Sequence, residues 1–478
     1  MMQILYVGSV FCSAESLADI LPKHLLDAGV KADVVIPRID GIDEGVSLLA
    51  ERLIHGDVHF DGRRFDVRIL EGRRDGHIRA FYLDHKSLKQ GLSLTHESGI
   101  RAAGIFAHAV CQLLIQSATP YDIIHCDGLE TCLVPLLMRT VYASEARISR
   151  TKIVQFVKSI EDKGKIALDY IARLGLPQSL ATSEGLEFYG KMSVLKGAYL
   201  FADALLFPND IVAKHVAQKG KDIGMEGVLF SRANRLHVLP IGIDTKRCGP
   251  ESGPLAGFNK TNLAPKAQFK AEFVRKHKLN KEPQRPLMCF IGQLDQNSGI
   301  DLLNDILDDL MDRRVNLVVC GCGEETYTGA IEGWTQEFKS SIAFFKEDLC
   351  SPRKDACKSN VREILSASDI ILLPANDESL NTLHLKSMRF GCIPVTTKQG
   401  CAAGIHGVRN LDAIDDTDNG FTFVQYNGDA FFDATMDAID LFAKKDLWQK
   451  LVIQALDSIT SLTQTAKACI DIYQSLKA

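Results

Sequence analysis

Short runs of valine, isoleucine and leucine alternate along this chain with longer stretches whose apolar positions recur at helical spacing. Residues 4–7 read as a first strand, 17–28 as an amphipathic helix, and 32–36 as a second strand closed by Pro37. Further strands are predicted over 121–125 and 152–157. The rhythm resumes with a strand over 287–291, a helix over 301–312 and a strand over 315–320. A strand over 370–374, a helix over 382–390 and a strand over 393–396 follow. Repeated strand–helix–strand units build a parallel sheet with helices on both faces, so the fold class is α/β.

The two rhythmic halves are separated by 249–285, a stretch rich in Pro, Gly, Asn and Lys. At 478 residues the chain exceeds what one hydrophobic core holds, roughly 250–300 residues. The expected division is an N-terminal Rossmann-like domain over 1–249, a linker over 250–285, and a second Rossmann-like domain over 286–450. A helical tail over 451–478 closes the chain. Two segments, 38–80 and 224–236, have poor periodicity and read as insertions or loops. Ligands gather at the carboxyl ends of parallel strands, so two such domains facing across a cleft would hold two substrates. Pattern alone leaves hydride transfer, group transfer and ligand binding open.

Composition narrows the setting. Hydrophobic residues make up 46% and charged residues 24%, as in ordinary globular chains. A net charge of -5 supplies no field for nucleic acid or an anionic membrane, and neither is expected as a partner. No apolar run reads as a membrane span of about 20 residues. The opening Met1-Met-Gln-Ile-Leu5 lacks the basic flank of a secretory signal, which points to a cytoplasmic protein. The 13 cysteines, scattered and often in apolar runs, read as reduced thiols. Cys320-Gly-Cys322 has no further Cys or His at ligand spacing, so no metal and no other cofactor is expected.

Common nucleotide signatures are missing. Gly321-Cys-Gly323-Glu-Glu325 follows a predicted strand but lacks the third glycine of a dinucleotide fingerprint. Its acidic pair would also repel a pyrophosphate, and it reads as a tight turn. There is no Walker A sequence and no G-x-S-x-G elbow.

Longer runs say more. Leu186-Glu-Phe-Tyr-Gly-Lys-Met-Ser-Val-Leu-Lys-Gly-Ala-Tyr-Leu-Phe-Ala-Asp203 strongly resembles a segment of the bacterial glycogen synthases and plant starch synthases. Collinear matches to the same family are Val35-Ile-Pro-Arg38, Asp122-Ile-Ile-His125 with Leu133-Val-Pro135, and Gly242-Ile-Asp-Thr245. Gly292 to Leu303 and Ser387-Met-Arg-Phe-Gly-Cys-Ile-Pro-Val395 complete the set. The resemblance implies a GT-B fold whose last helix crosses back onto the N-terminal domain. It implies transfer of glucose from ADP-glucose or UDP-glucose to an α-1,4-glucan, with retention and without an essential metal.

The resemblance breaks down where the family's chemistry lies. The family's K-x-G-G loop after the first strand is replaced by Ser9-Val-Phe-Cys-Ser13. Its H-x-H-D motif reads His125-Cys-Asp127-Gly128, and its H-N pair reads Lys158-Ser159. Its G-R-L-x-x-x-K-G reads Gly292-Gln293-Leu-Asp-Gln-Asn-Ser298-Gly299, so the two cations that neutralise the donor pyrophosphate are Gln293 and Ser298. Its E-P-C-G-L-T keeps only Glu378, and its paired Gly reads Gly400-Cys401. The resemblance thus assigns catalysis to Glu378 and Asp127, and the donor positions to Gln293, Ser298 and Lys158. His125, Gly292 and Gly400 are further cleft candidates. Each has a plainer reading: Glu378 and Asp127 as caps, His125 as a satisfied core histidine, Lys158 as a partner of Glu161 or Asp162. A hydrogen bond to a charged group contributes about 1.5–3 kcal/mol, so losing two cations costs donor binding roughly 3–6 kcal/mol if additive. The expectation is a catalytically impaired homologue that binds α-glucan or nucleotide sugar, or a partner enzyme of glycogen metabolism. Two alternatives stand beside it: an active glucosyltransferase with a rearranged site, and a scaffold with a vestigial cleft.

Overall fold

The apolar runs predicted as strands are the buried centres of two separate sheets. A computed structural model describes residues 2–9, 17–40, 47–74, 78–118, 120–158, 164–208, 225–246, 248–250, 257–348, 360–375, 382–398 and 404–477. The chain forms two units, Met1–Pro240 with Thr463–Ala478, and Ile241–Leu462. The end of the chain thus belongs to the N-terminal unit.

In the first unit the strands are β1 (Gln3–Gly8), β2 (Lys31–Pro37), β3 (Ser47–Phe60), β4 (Arg63–Arg74), β5 (Ile78–Asp84), β6 (Ile123–Asp127) and β7 (Lys152–Phe156). They are followed by β8 (Lys165–Ile166), β9 (Glu187–Phe188), β10 (Lys191–Ser193), β11 (Ala204–Phe207) and β12 (Leu236–Val238). The main sheet runs β12-β11-β7-β6-β1-β2-β5-β4-β3. It is parallel from β12 to β5, while β4 pairs antiparallel with both β5 and β3. The order reverses between β1 and β6, which makes their carboxyl ends a topological switch point. Both strands are buried on both faces, which explains the apolar run over 4–7 and makes His125 and Asp127 of β6 buried polar residues.

The segment expected to be loop over 38–80 is largely a long hairpin, β3–β4, extending the sheet. It is anchored by Val58, Phe60, Val67 and Ile69, all buried. Gly104 accommodates it: a Cβ there would lie 2.7 Å from the Phe60 ring. Gly104 lies in the helix Glu97–Gln116, which has the length and apolarity of a membrane span, although no such run was expected from the sequence. The helix is apolar nearly all round because it lies within the core of this unit. The 224–236 segment, also expected to be loop, contains the short helix Glu226–Ser231.

The second unit holds β13 (Leu287–Ile291), β14 (Asn316–Gly321), β15 (Ile342–Lys346), β16 (Ile370–Leu373), β17 (Ile393–Thr397) and β18 (Phe421–Phe423). All pair parallel, in the order β15-β14-β13-β16-β17-β18, with the reversal between β13 and β16. The predicted helix over 301–312 is two short ones, Ile300–Asp305 and Leu307–Asp312. The expected linker is a correction of substance. Ala264–Lys276 is a helix of the second unit, with Phe273 and Val274 buried. The buried Lys266 donates to the carbonyls of Ser366, Ser368 and Phe390 at 3.4, 2.7 and 2.8 Å. A charged residue in a core position is what hid this helix from the apolar pattern. Cys248 is disulfide-bonded, against the expectation of reduced thiols throughout. Cys111, Cys126, Cys132, Cys289, Cys320, Cys392 and Cys469 are free thiols.

Candidate active site

Each sheet presents a switch point, and the candidate residues divide between them. In the N-terminal unit β6 ends beside β1 and β7, with Asp127 paired in register to Gly8 and Phe156. Asp127 is 2% exposed. Its Oδ1 lies 2.9 Å from the Nζ of Lys158, which is half-buried just beyond β7. A cavity of about 330 Å³ opens here, lined among others by Ser9, Gly128, Glu130 and Lys158. The Lys158 ammonium is therefore committed to a carboxylate inside the unit. Glu161 and Asp162, the partners considered from the sequence, lie outside the described residues.

Gly128 has φ 90° and ψ 174°, a backbone region open essentially only to glycine. Its carbonyl is fixed by Gln155 Nε2 and Thr131 Oγ1, each at 2.9 Å. The aspartate that ends the resembling motif would be strained in this conformation. A Cβ at Gly128 would lie 3.3 Å from Glu130 Oε2 and 3.8 Å from Lys158 Nζ. Loss of that aspartate and the local backbone geometry thus go together.

His125 is fully buried. Its Nδ1 is 2.5 Å from the hydroxyl of Tyr473, on the chain-terminal helix Leu462–Lys477, and the Tyr6 ring centroid is 4.7 Å away. Burial pulls its pKa down to about 4, so the ring is neutral at pH 7. His125 is thus a core histidine bridging the sheet and the terminal helix. Burial, followed by the nearby Asp127 charge, pushes the Tyr6 phenol well up. Neither tyrosine was singled out from the sequence, where each reads as one more apolar position.

In the C-terminal unit the loop after β13 begins at Gly292 and ends at Gly299, ahead of the helix Ile300–Asp305. Its path is set by close backbone contact. A Cβ on Gly321 would lie 2.0 Å from the Gly292 carbonyl oxygen, and one on Gly323 2.2 Å from that of Leu294. Leu294 and Gly323 form a parallel bridge. Gly321 and Gly323 are thus packing glycines, in keeping with the tight turn read from the sequence. Gly299, at φ 75°, lies against Pro374, where a Cβ would come within 2.7 Å of its carbonyl oxygen. The loop therefore lies at the switch point between β13 and β16.

The charges on this loop are of the wrong sign for a phosphate. Asp295 Oδ1 accepts from the backbone N–H of Asn297 and of Ser298, both at 3.0 Å. The Ser298 hydroxyl donates to the Asp295 carbonyl at 2.7 Å, turning its proton back into the loop. Gln293 lies on the same loop, after Gly292. Glu378 and Gly400 lie outside the described residues. The N-terminal candidates Asp127 and Lys158 come together; Gln293, Ser298 and Gly292 share one loop of the other unit.

Two family models match the chain: the starch synthase catalytic domain over residues 16–230, and glycosyl transferases group 1 over residues 272–447. The glycogen synthase of Koribacter versatilis is 27% identical over 480 residues, covering 98% of this chain and 96% of the relative. That of Thermosipho melanesiensis is 25% identical, covering 97% and 96%. Among solved structures, the catalytic domain of starch synthase IV from Arabidopsis thaliana, bound to ADP and acarbose, superposes with a TM-score of 0.84 at 21% identity. That match covers 100% of both chains. Sucrose-phosphate synthase from Thermosynechococcus elongatus gives 0.63 at 14% identity, covering 100% of this chain and 99% of that one.

Proposed function

Because the chain belongs to the glycogen and starch synthase family and has the GT-B fold, we propose that it binds α-glucan and nucleotide sugar but is impaired in glucosyl transfer. The observation that carries this reading is the loop after β13. The two positions that the resemblance assigns to cations hold the neutral Gln293 and Ser298, and the Ser298 hydroxyl is held by the Asp295 carbonyl. A departing nucleoside diphosphate develops negative charge, and preorganised positive groups are the largest single source of its stabilisation. Lys158 does not compensate, since Asp127 holds its ammonium at 2.9 Å.

The test combines transfer and binding. Micromolar protein is incubated with ADP-glucose or UDP-glucose and a maltooligosaccharide, and nucleotide release is followed. Separate calorimetric titrations measure each ligand alone. The expected result is glucan binding, weak nucleotide binding and no glucosyl transfer above background. Rapid turnover that Glu378→Ala abolishes would overturn the proposal.

A second reading is an active glycosyltransferase with a rearranged site built from Lys158, Asp127 and Glu378. The near-full-length match to relatives named glycogen synthase favours it. It predicts a rise in melting temperature with some nucleotide sugar, because a ligand of the native state stabilises it. A flat response across a donor panel would count against it. The cavity at the end of β6, about 330 Å³, speaks against a scaffold whose strand-end site is filled by side chains.

A further inference from the structure

Another cavity lies at the opposite ends of the strands of the C-terminal sheet. It has a volume of about 660 Å³ and is bounded by the helices Ala264–Lys276 and Lys445–Asp457. Its floor is Asp369, the residue before β16, whose Oδ2 accepts from the backbone N–H of Leu287 at the start of β13. The cavity is therefore at the amino ends of the strands. β13 has five residues at about 3.3 Å each, which puts the cavity roughly 15 Å from the Gly292 loop. It is not part of the candidate active site.

Its chemistry points to a neutral ligand. Lys270 Nζ lies 2.7 Å from Asp369 Oδ2, with both side chains almost buried. The same ammonium donates to the Arg285 carbonyl at 2.7 Å and lies 4.8 Å from the centre of the Phe442 ring. The other buried cation of the lining, Lys266, is spent on the carbonyls of Ser366, Ser368 and Phe390, and the exposed Lys281 and Glu282 are of opposite charge. A phosphate or carboxylate would have to compete with these partners for either buried ammonium. The walls are apolar: Phe442, Trp448 and Val452 on one side, Ala267 and Ala271 on the other. At the mouth, Asn262 and Gln449 are exposed amides that both donate and accept. Apolar walls suit the C–H faces of a sugar ring, and amides suit its hydroxyls. The volume lies within the range of small-ligand sites, about 300–1,000 Å³.

We propose that this cavity is a second, non-catalytic binding site for a short stretch of α-1,4-glucan. The choice of glucan among neutral sugars rests on the function proposed above. The site would hold a polymer away from the place of transfer.

Both tryptophans of the chain, Trp334 and Trp448, lie in this unit, and only Trp448 lines the cavity. In a Trp334→Phe background, Trp448 emission therefore reports on the site alone. Titration with maltotetraose is expected to change that emission saturably, while ADP leaves it unchanged. Ala267→Phe, at an exposed helix position, fills the cavity and is expected to abolish the change at an unaltered melting temperature. Gln449→Ala, also exposed, removes one hydrogen-bonding group and is expected to weaken binding by about threefold to tenfold. Calorimetry of the wild-type chain with maltotetraose separates the two proposals. Heat of binding with no response of Trp448, or a response unaffected by Ala267→Phe, overturns the second site and leaves glucan binding elsewhere. Absence of both signals overturns this site together with glucan binding by the protein.

Discussion

The carboxyl ends of the two sheets differ in where they hold charge. In the N-terminal unit, charge is present but turned inward: Asp127 is 2% exposed and holds Lys158 at 2.9 Å. In the C-terminal unit, backbone geometry is present but the expected charge is not. Gly292, Gly299, Gly321 and Gly323 permit the close contacts that place the loop at the switch point, while Gln293 and Ser298, which the resemblance sets at cationic positions, are uncharged. The difference separates two demands on one sequence. Close backbone approach is a requirement of folding, whereas the charge of a loop side chain can change without disturbing the fold.

The sharpest way to break this comparison is to restore the charge. Gln293→Arg with Ser298→Lys should strengthen ADP binding by roughly 3–6 kcal/mol at the additive limit, two to four decades in affinity. Calorimetric titration reads this directly. An unchanged affinity would mean that the loop, and not its charge, is what excludes the nucleotide.

Geometry comes next. Gly321→Ala would put a methyl group 2.0 Å from the Gly292 carbonyl oxygen, a backbone atom with little room to yield. Overpacking of this kind costs about 3 kcal/mol. Because both tryptophans belong to the C-terminal unit, thermal unfolding followed by their emission should show the loss. A melting temperature equal to that of the wild type would show that the loop is not held by this contact.

The inward pair should cost less to break. Lys158→Met leaves the Asp127 carboxylate buried without its cation, a change that costs 3–5 kcal/mol in full burial. Lys158 is 35% exposed, so water shares the compensation and about 2 kcal/mol is expected. Asp127→Asn leaves the cation able to reach solvent and should cost about 1 kcal/mol. In the double variant the losses should not add, and circular dichroism melts of the four proteins measure the coupling. Additive losses would mean that the pair is a coincidence of position.

The fold was largely legible from the sequence and the chemistry only partly so, for physical reasons that differ by residue. The strands over 4–7, 287–291 and 370–373 are buried on both faces, and continuous apolar runs announce them. The helix Ala264–Lys276 was not legible as an element of the second unit, because its buried Lys266 satisfies three carbonyls at a position where the pattern asks for an apolar residue. The β3–β4 hairpin was missed for want of clean alternation. At the candidate site, the uncharged Gln293 and Ser298 are plain in the sequence. The pairing of Asp127 with Lys158 is not, since their 31-residue separation conceals that β6 and β7 are neighbours. His125 was a cleft candidate through the resemblance of its motif; only the terminal helix, bringing Tyr473 to within 2.5 Å, shows it as core.

The same burial sets the smallest expected effect, which again distinguishes the two units. His108 and His125, both in the N-terminal unit, have pKa values lowered to about 4, chiefly because burial disfavours their charged forms. In the unfolded chain each titrates near 6.5. Between these values the unfolded state binds more protons than the native state, so stability rises with pH across the window. The contribution is intact above pH 6.5 and is lost progressively as pH falls towards 4. By pH 5.5 each histidine should have cost about 1.4 kcal/mol. His85 and His237 in the same unit are shifted in the same direction, whereas in the C-terminal unit the described shift is that of His277. Acidification should therefore loosen the N-terminal unit first. Hydrogen exchange at β6 amides should accelerate between pH 6.5 and 5.5, after correction for intrinsic rates, while tryptophan emission from the other unit holds steady. His125→Gln should flatten the dependence by about half. If β6 exchange is independent of pH in that window, the histidines are hydrated in the native protein, and the contrast drawn between an inward-turned site and an outward-facing loop loses its basis.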